Sequence, residues 1–314
     1  MRTIRLGTTT EQVSALCLGS MYYGTSVNRA VSYRLLDQYV DAGGMFIDTA
    51  NIYAWWAEGG LGGESEKLLG DWLKERKNRS NLFIASKVGF GYGSVPRGLS
   101  ARLIREECEK SLRQMQIETI DLYYAHVDDP NTPMDETLEA FNRLVEAGKV
   151  RYIGASNFRA WRLEQARNIS QSKAIAGYSC VQQRYTYLQP RPGTSFEPQL
   201  AANEDLLDYC QKMDLTILAY SPLLSGAYTR MERPIASQYL SDDNQVRLQT
   251  LRSVATECGA TPNQVILAWM LQSSPLILPV FAASTREQME EDISALKLEL
   301  TEAQMKQLNE AGTK

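Results

Sequence analysis

The chain has 314 residues, 44% of them hydrophobic, and a formal net charge of −4, enough for one large core and compatible by length with two ordinary domains or one α/β barrel. A pI near 5.4 argues against a nucleic-acid partner, and no apolar run approaches the roughly 20 residues a membrane helix needs. The five cysteines are scattered without metal or redox spacing, and the N-terminal Met1-Arg2-Thr3-Ile4-Arg5 lacks the apolar core of a signal peptide, so a cytoplasmic protein without a metal is expected.

Residues 2–14 read as a hairpin turning at Gly7-Thr8-Thr9-Thr10. A strand over Ala15–Leu18, a loop through Gly19-Ser20-Met21 and a helix near 29–42 follow. Gly43-Gly44 turns the chain after that helix, Met45–Ile47 is a short buried strand, and Asp48 stands at its end. A glycine-rich loop over 58–63 leads to a helix with Leu68, Leu69, Trp72 and Leu73 on one face. Leu82–Lys87 is the third strand, and Ser100 caps the helix that follows it. Ile120–Tyr124 ends just before His126, and Thr132-Pro133 starts a helix that Gly148 ends. Val150–Ala155 carries Ser156 and Asn157 at its end, Tyr178–Gln182 is the sixth strand, and Thr216–Ala219 runs to Tyr220. A long loop then precedes a helix opened by Thr261-Pro262. Leu276–Val280 is the eighth strand, and Ser284 opens a helix through Leu296, with Glu287 completing a capping box.

The strand–helix alternation repeats eight times with no break in composition, which favours a single closed (β/α)₈ TIM barrel over residues 1–314. No Gly-x-Gly-x-x-Gly follows the first strand, so a Rossmann domain is not expected. In a barrel the C-terminal strand ends share one mouth, where active sites sit. The polar residues there are Asp48, Lys87, His126, Ser156 with Asn157, Gln182 and Tyr220. Each has a plain alternative. Asp48 caps a turn equally well, Lys87 reads as a solvated lysine, and His126 as a loop residue beside Asp128 and Asp129. Ser156 and Asn157 read as a helix N-cap, Gln182 can face outward, and Tyr53 can pack with Trp55 and Trp56 as a lid.

Long motifs tip that balance. Asp48-Thr49-Ala50-Asn51-Ile52-Tyr53, Gly63–Gly70, Ile120–His126, Glu146–Phe158 and Tyr220-Ser221-Pro222-Leu223 resemble the aldo-keto reductase superfamily, in the family's order and over nearly the whole chain. The resemblance implies a (β/α)₈ barrel that binds NADPH, less often NADH, and a tetrad of Asp48, Tyr53, Lys87 and His126. A phenol near pKa 10 is too weak an acid at neutral pH, so Lys87 is expected to make Tyr53 more acidic, Asp48 to offset the burial of Lys87, and a neutral His126 to orient a carbonyl oxygen.

By the same resemblance Ser156, Asn157 and Gln182 hold the nicotinamide carboxamide and Tyr220 stacks on its ring. Gly19, Ser20 and Met21 pass nearby, Ser221, Leu223 and Ser225 follow the pyrophosphate, and Ser284, Gln288, Glu291 and Asp292 surround the adenosine end. There Ala282 and Asp292 depart from the family's glycine and asparagine. Asp292 makes the site less welcoming to a 2′-phosphate, with Arg286 compensating if it points inward, so NADPH is expected with NADH kept open. Trp55 and Trp56 are candidates for the substrate pocket. They lie in Ala54-Trp55-Trp56-Ala57, which replaces the family's glycine after Tyr53, and the loop over 188–203 is a second insertion at the mouth. The expected reaction is reduction of an aldehyde, ketone or sugar-type carbonyl, or oxidation of the alcohol. An NAD-preferring sugar or polyol dehydrogenase and a cofactor-binding regulatory subunit with little turnover stand as alternatives. A small-molecule partner is expected, neither nucleic acid nor membrane, and homo-oligomerisation is left open.

Overall fold

A computed structural model describes residues 1–312. The strands β1 (Thr3–Arg5) and β2 (Gln12–Ser14) form an antiparallel hairpin. Eight parallel strands follow: β3 (Cys17–Gly19), β4 (Phe46–Asp48), β5 (Phe83–Val88), β6 (Ile120–Ala125), β7 (Val150–Ser156), β8 (Tyr178–Arg184), β9 (Thr216–Tyr220) and β10 (Ile277–Phe281). They close into a barrel when β10 pairs with β3 through Val280–Cys17 and Phe281–Leu18. Around it run α1 (Arg29–Asp41), α2 (Glu64–Arg76), α3 (Ala101–Met115), α4 (Met134–Glu146), α5 (Ala160–Lys173), α6 (Glu204–Met213), α7 (Asp242–Cys258), α8 (Pro262–Gln272), α9 (Arg286–Ser294) and α10 (Glu302–Glu310). No helix among the described residues is long and apolar enough to cross a membrane.

The strands read as continuous apolar runs because both their faces are buried. Outward side chains such as Leu18, Ile47, Ile84 and Ile217 pack under the helices. Inward ones, among them Phe46, Phe83, Leu122, Cys180 and Leu278, fill the barrel. Leu6 and Val13 of the hairpin join that interior cluster. The hairpin lies against the N-terminal strand ends, where Gly7 N donates to Thr216 Oγ1 at 2.6 Å and Met45 N to Ser14 Oγ at 2.7 Å. Gly7 has φ +50°, and a Cβ there would meet the Ser179 carbonyl oxygen at 2.0 Å, so the turn requires glycine. One end of the barrel is thereby floored, and the opposite end is left open.

Several boundaries differ from expectation. Pro133 is the cap residue of α4, not its first helical residue. Arg159 occupies the cap position of α5, so neither Ser156 nor Asn157 caps that helix. The long loop after β9 contains α7, whose buried face includes Asn244 and Arg247 and so hides the apolar stripe. At α9 the capping hydroxyl belongs to Thr285, which accepts from Gln288 N, while Gln288 Oε1 accepts from Ser284 N at 2.8 Å. The Ser284–Glu287 capping box does not form.

Candidate active site

At the open end the strand termini converge. Asp48 closes β4, Lys87 is the penultimate residue of β5, and both are fully buried. Such an ion pair is tolerated only when its remaining hydrogen-bonding capacity is satisfied. Lys87 Nζ donates to Asp48 Oδ1, to Thr49 O at 2.8 Å and to the Tyr53 hydroxyl at 2.8 Å, which uses all three of its donors. Asp48 Oδ2 accepts from Gln182 Nε2 at 2.9 Å. Gln182 therefore faces into the barrel, whereas Gln183 Nε2 donates outward to Phe158 O at 3.0 Å. The alternative readings of Asp48 as a turn cap and Lys87 as a solvated lysine fall away.

Tyr53 accepts from the ammonium, and its own proton has only a long, 3.4 Å contact with Asp48 Oδ1. The ring is half-buried and lines the mouth. Burial, and then the Asp48 carboxylate, push the phenol well above its ordinary pKa. The expected acidification by Lys87 is not what this environment produces. Burial likewise lowers Lys87 against the pull of Asp48. His126 follows β6 and is held by its backbone N–H on Val88 O at 2.7 Å. Burial first, then the Lys87 charge, drive the imidazole well below its usual pKa, so it is neutral at neutral pH. Its ring meets the rings of Phe90 and Tyr53 edge-on at 4.6 and 6.1 Å, and Nδ1 has no partner in the protein.

Asn157 sits at φ +58° just past β7. Its Nδ2 donates to His126 O at 2.9 Å, and its Oδ1 accepts from the Tyr220 hydroxyl at 2.8 Å and from Leu200 N at 3.0 Å. The side chain thus ties three strand ends and a loop together, with its polar groups already engaged.

A cavity of about 1160 Å³ opens over these residues. Gly19, Met21, Asp48, Tyr53, Trp56, His126, Asn157, Gln182 and Tyr220 line one part of it. Ser221, Leu223 and Ser225 line its wall, and Ser284, Gln288, Glu291 and Asp292 its far end. Ser20, Ser156 and Trp55 are not on that surface. Ser20 Oγ is bound to Asp48 O at 2.9 Å, Ser156 is buried beside Asn157, and Trp55 packs on Tyr92 with ring centroids 6.3 Å apart. Arg286 is exposed outside the cavity, so it does not offset Asp292. Arg230 and Arg233 line it instead, as does Arg184, and sequence reasoning singled out none of the three. For Arg184 the signal was available, since it lies two residues beyond Gln182 on the same strand face.

The cavity fits a dinucleotide cofactor on two observations. It is long enough to join the Lys87–Tyr53 group to the start of α9, and its wall holds Asn157, Ser221, Leu224 and Ser225 at positive φ, strain of the kind that concentrates where backbone is aimed at a ligand. At the far end Glu291 Oε1 accepts from Thr261 Oγ1 at 2.5 Å, and burial with the Glu291 charge pushes Asp292 well above the ordinary carboxyl range.

Comparison with known proteins gives this arrangement its relatives. The sequence profile described as the Aldo/keto reductase family matches residues 15–313. An uncharacterized oxidoreductase, YrpG, of Bacillus subtilis (strain 168) is 32% identical, with 97% of this chain and 94% of that protein covered. The aldo-keto reductase yakc [NADP(+)] of Schizosaccharomyces pombe is 30% identical over 96% of this chain and 89% of its own. A crystal structure of the thermostable aldo-keto reductase Tm1743, with the inhibitor epalrestat, superposes with a TM-score of 0.77 at 30% identity, covering 99% of this chain and 100% of that one.

Proposed function

The chain belongs to the aldo/keto reductase family of NAD(P)H-dependent oxidoreductases, and from that premise we propose that it reduces an aldehyde, ketone or sugar-type carbonyl, or oxidises the alcohol, with Tyr53 as general acid and base. The observation that carries this reading is the Tyr53 hydroxyl, which accepts from Lys87 while its own proton is only loosely held toward Asp48 and its ring lines the mouth. That proton is free to pass to an oxygen arriving from the cavity. The phenol need only be a stronger acid than the alcohol being formed, and a raised pKa keeps it protonated until that moment. Lys87 stabilises the phenolate left behind, and Asp48 keeps Lys87 charged and in place. A neutral His126 orients the same oxygen without adding its own positive charge to that of Lys87.

A nicotinamide bound along the wall supplies the hydride. Gln182 and Asn157 are proposed to border its carboxamide and Tyr220 to pack on its ring. Ser221, Leu223 and Ser225 follow the pyrophosphate, and Ser284, Gln288, Glu291 and Asp292 receive the adenosine end. NADPH is the proposed cofactor, supported by the bracketed NADP(+) in the name of the yeast relative. NADH is the second reading, favoured by the two carboxyl groups lining the far end. A fluorescence titration with both cofactors at equal ionic strength decides it. Tighter NADPH binding supports a 2′-phosphate site, and equal or tighter NADH binding assigns the site to the ribose hydroxyl.

Tyr53→Phe tests the chemistry. It should bind cofactor as the parent does and lose roughly 10²- to 10⁴-fold in kcat. Turnover that survives the substitution overturns the assignment of Tyr53.

A further inference from the structure

Arg184 ends β8 and stands about 7 Å above Gln182 on the same face, so it overlooks the cavity from just beyond the Asp48–Lys87–Tyr53 group. Its guanidinium lies 4.8 Å from the Phe196 ring centroid and 5.4 Å from that of Tyr220. Nη2 donates to Gln199 Oε1 at 2.7 Å, while the buried Nε finds no acceptor in the protein. No carboxylate pairs with it among the described residues. A partly desolvated guanidinium with spare donors and no counter-charge is costly, and such a group awaits an anion.

The insertion after β8 builds this position. The chain leaves β8, loops outward and returns, so that Arg184 N donates to Leu200 O at 3.2 Å and Ala202 N to Arg184 O at 2.8 Å. That return brings Phe196 onto one side of the guanidinium and Gln199 onto its end, fixing the long side chain before any ligand arrives. The other cavity-lining arginines stand elsewhere. Arg230 and Arg233 follow Ser225 on the wall assigned to the pyrophosphate, and Arg230 is already paired with Glu232. The same cavity has an aromatic lining near Tyr53, with the Trp56 ring 6.1 Å from the Tyr53 ring and the Phe90 ring 4.6 Å from that of His126.

We propose that Arg184 is the subsite for an anionic group of the substrate, so that the enzyme favours carbonyl compounds whose apolar or aromatic body carries a carboxylate or phosphate a few bonds from the carbonyl. This rests on the carbonyl-reductase reading above and names its substrate class. Phe196 and Gln199 act by positioning the guanidinium.

The test compares 4-formylbenzoate with its methyl ester, which keeps the aromatic aldehyde but not the charge; the ester is also the more electrophilic aldehyde, so KM and the change between variants are the readout. Wild-type enzyme with saturating NADPH should show the lower KM for the acid. In Arg184→Met, which retains the apolar stem, that preference should fall roughly 10- to 100-fold through KM, the size expected when one charge-assisted bidentate contact is lost. Arg184→Lys should keep an intermediate preference. A parallel loss for acid and ester in Arg184→Met overturns the proposal, and so does a wild type whose KM for the acid is not the lower one. A weakening of NADPH affinity by the same factor also overturns it, by assigning the cation to the cofactor. Calorimetry of terephthalate, a non-reacting dianion, on the NADPH complex separates this proposal from the one it rests on. Binding that depends on Arg184 in a protein that reduces neither aldehyde leaves the anion site standing and removes the proposed reaction. Equal binding by wild type and Arg184→Met removes the site whatever the turnover.

Discussion

Tyr53, Lys87 and His126 are held in protonation states that their ordinary pKa values only partly indicate. The phenol is pushed up by burial and Asp48, and the imidazole down by burial and Lys87. The proposed reduction would use the phenol as an acid, a form present below its raised pKa, and the imidazole as a neutral group, a form present above its depressed one. Carbonyl reduction at saturating cofactor is therefore expected to be flat from about pH 6 to about pH 9, with no histidine-like limb near pH 6.5. A rate that falls through pH 6–7 as the histidine titrates would show His126 exposed and charged in the working enzyme. The identities of Tyr53 and His126 were legible in the sequence because two long motifs carry them, and that of Lys87 because it stands at the end of an expected strand. The balance of charges was not, because the order in which burial and Asp48 outweigh Lys87 depends on depth and distance, which no spacing records. The same limit applies to Trp55 and Trp56. Adjacent in sequence, they diverge at the rim, with Trp56 lining the cavity and Trp55 turned onto Tyr92.

At the scale of elements, the apolar period located those whose buried face is apolar and failed where polar side chains do the packing. In α7 the inward Asn244 donates to Gln189 O and Tyr239 O, both at 2.7 Å, and Arg247 donates to Tyr187 O at 3.0 Å, so the helix binds loop carbonyls along with core. A polar residue of the same kind sits between α2, β5 and α3. Glu66 is fully buried, accepts from Ser86 Oγ at 2.5 Å, and has its carboxyl pKa raised to about 7, chiefly by burial. The folded chain thus retains a proton that the unfolded chain releases between about 4.5 and about 7, so stability falls as pH rises through that window. Glu66→Gln removes the titration and keeps the shape. It is expected to stabilise the protein by about 2–3 kcal/mol at pH 8 and to be near neutral at pH 4.5, read from urea midpoints at the two pH values. Equal effects at both would show that Glu66 ionises freely where it lies.

For the whole molecule, the barrel was legible because its evidence is distributed. Eight short apolar runs separated by helical stretches admit few closed arrangements, and no single misplaced boundary changes the count. What the count does not reveal is how the interior is sealed. β3 and β4 are three residues each and leave the N-terminal end of the barrel thinly covered, and the hairpin fills that end with Leu6 and Val13. Leu6 is fully buried there, at the opposite end from Lys87 and Tyr53. Floor and mouth should then be separable, with stability resting on one and chemistry on the other. Leu6→Ala opens a void that the strand ends cannot collapse to fill, because Gly7 is fixed on Thr216 and Met45 on Ser14. The expected loss is about 3 kcal/mol, the range for a buried leucine, seen as a lower denaturant midpoint at unchanged m-value. Cofactor affinity and kcat, measured well below the lowered transition, should stay within about twofold of the parent, as for sites more than about 10 Å apart with no shared partners. A kcat that falls in step with stability under those conditions would mean that the strands transmit the floor's packing to Lys87, and that the barrel acts as one cooperative body from floor to mouth.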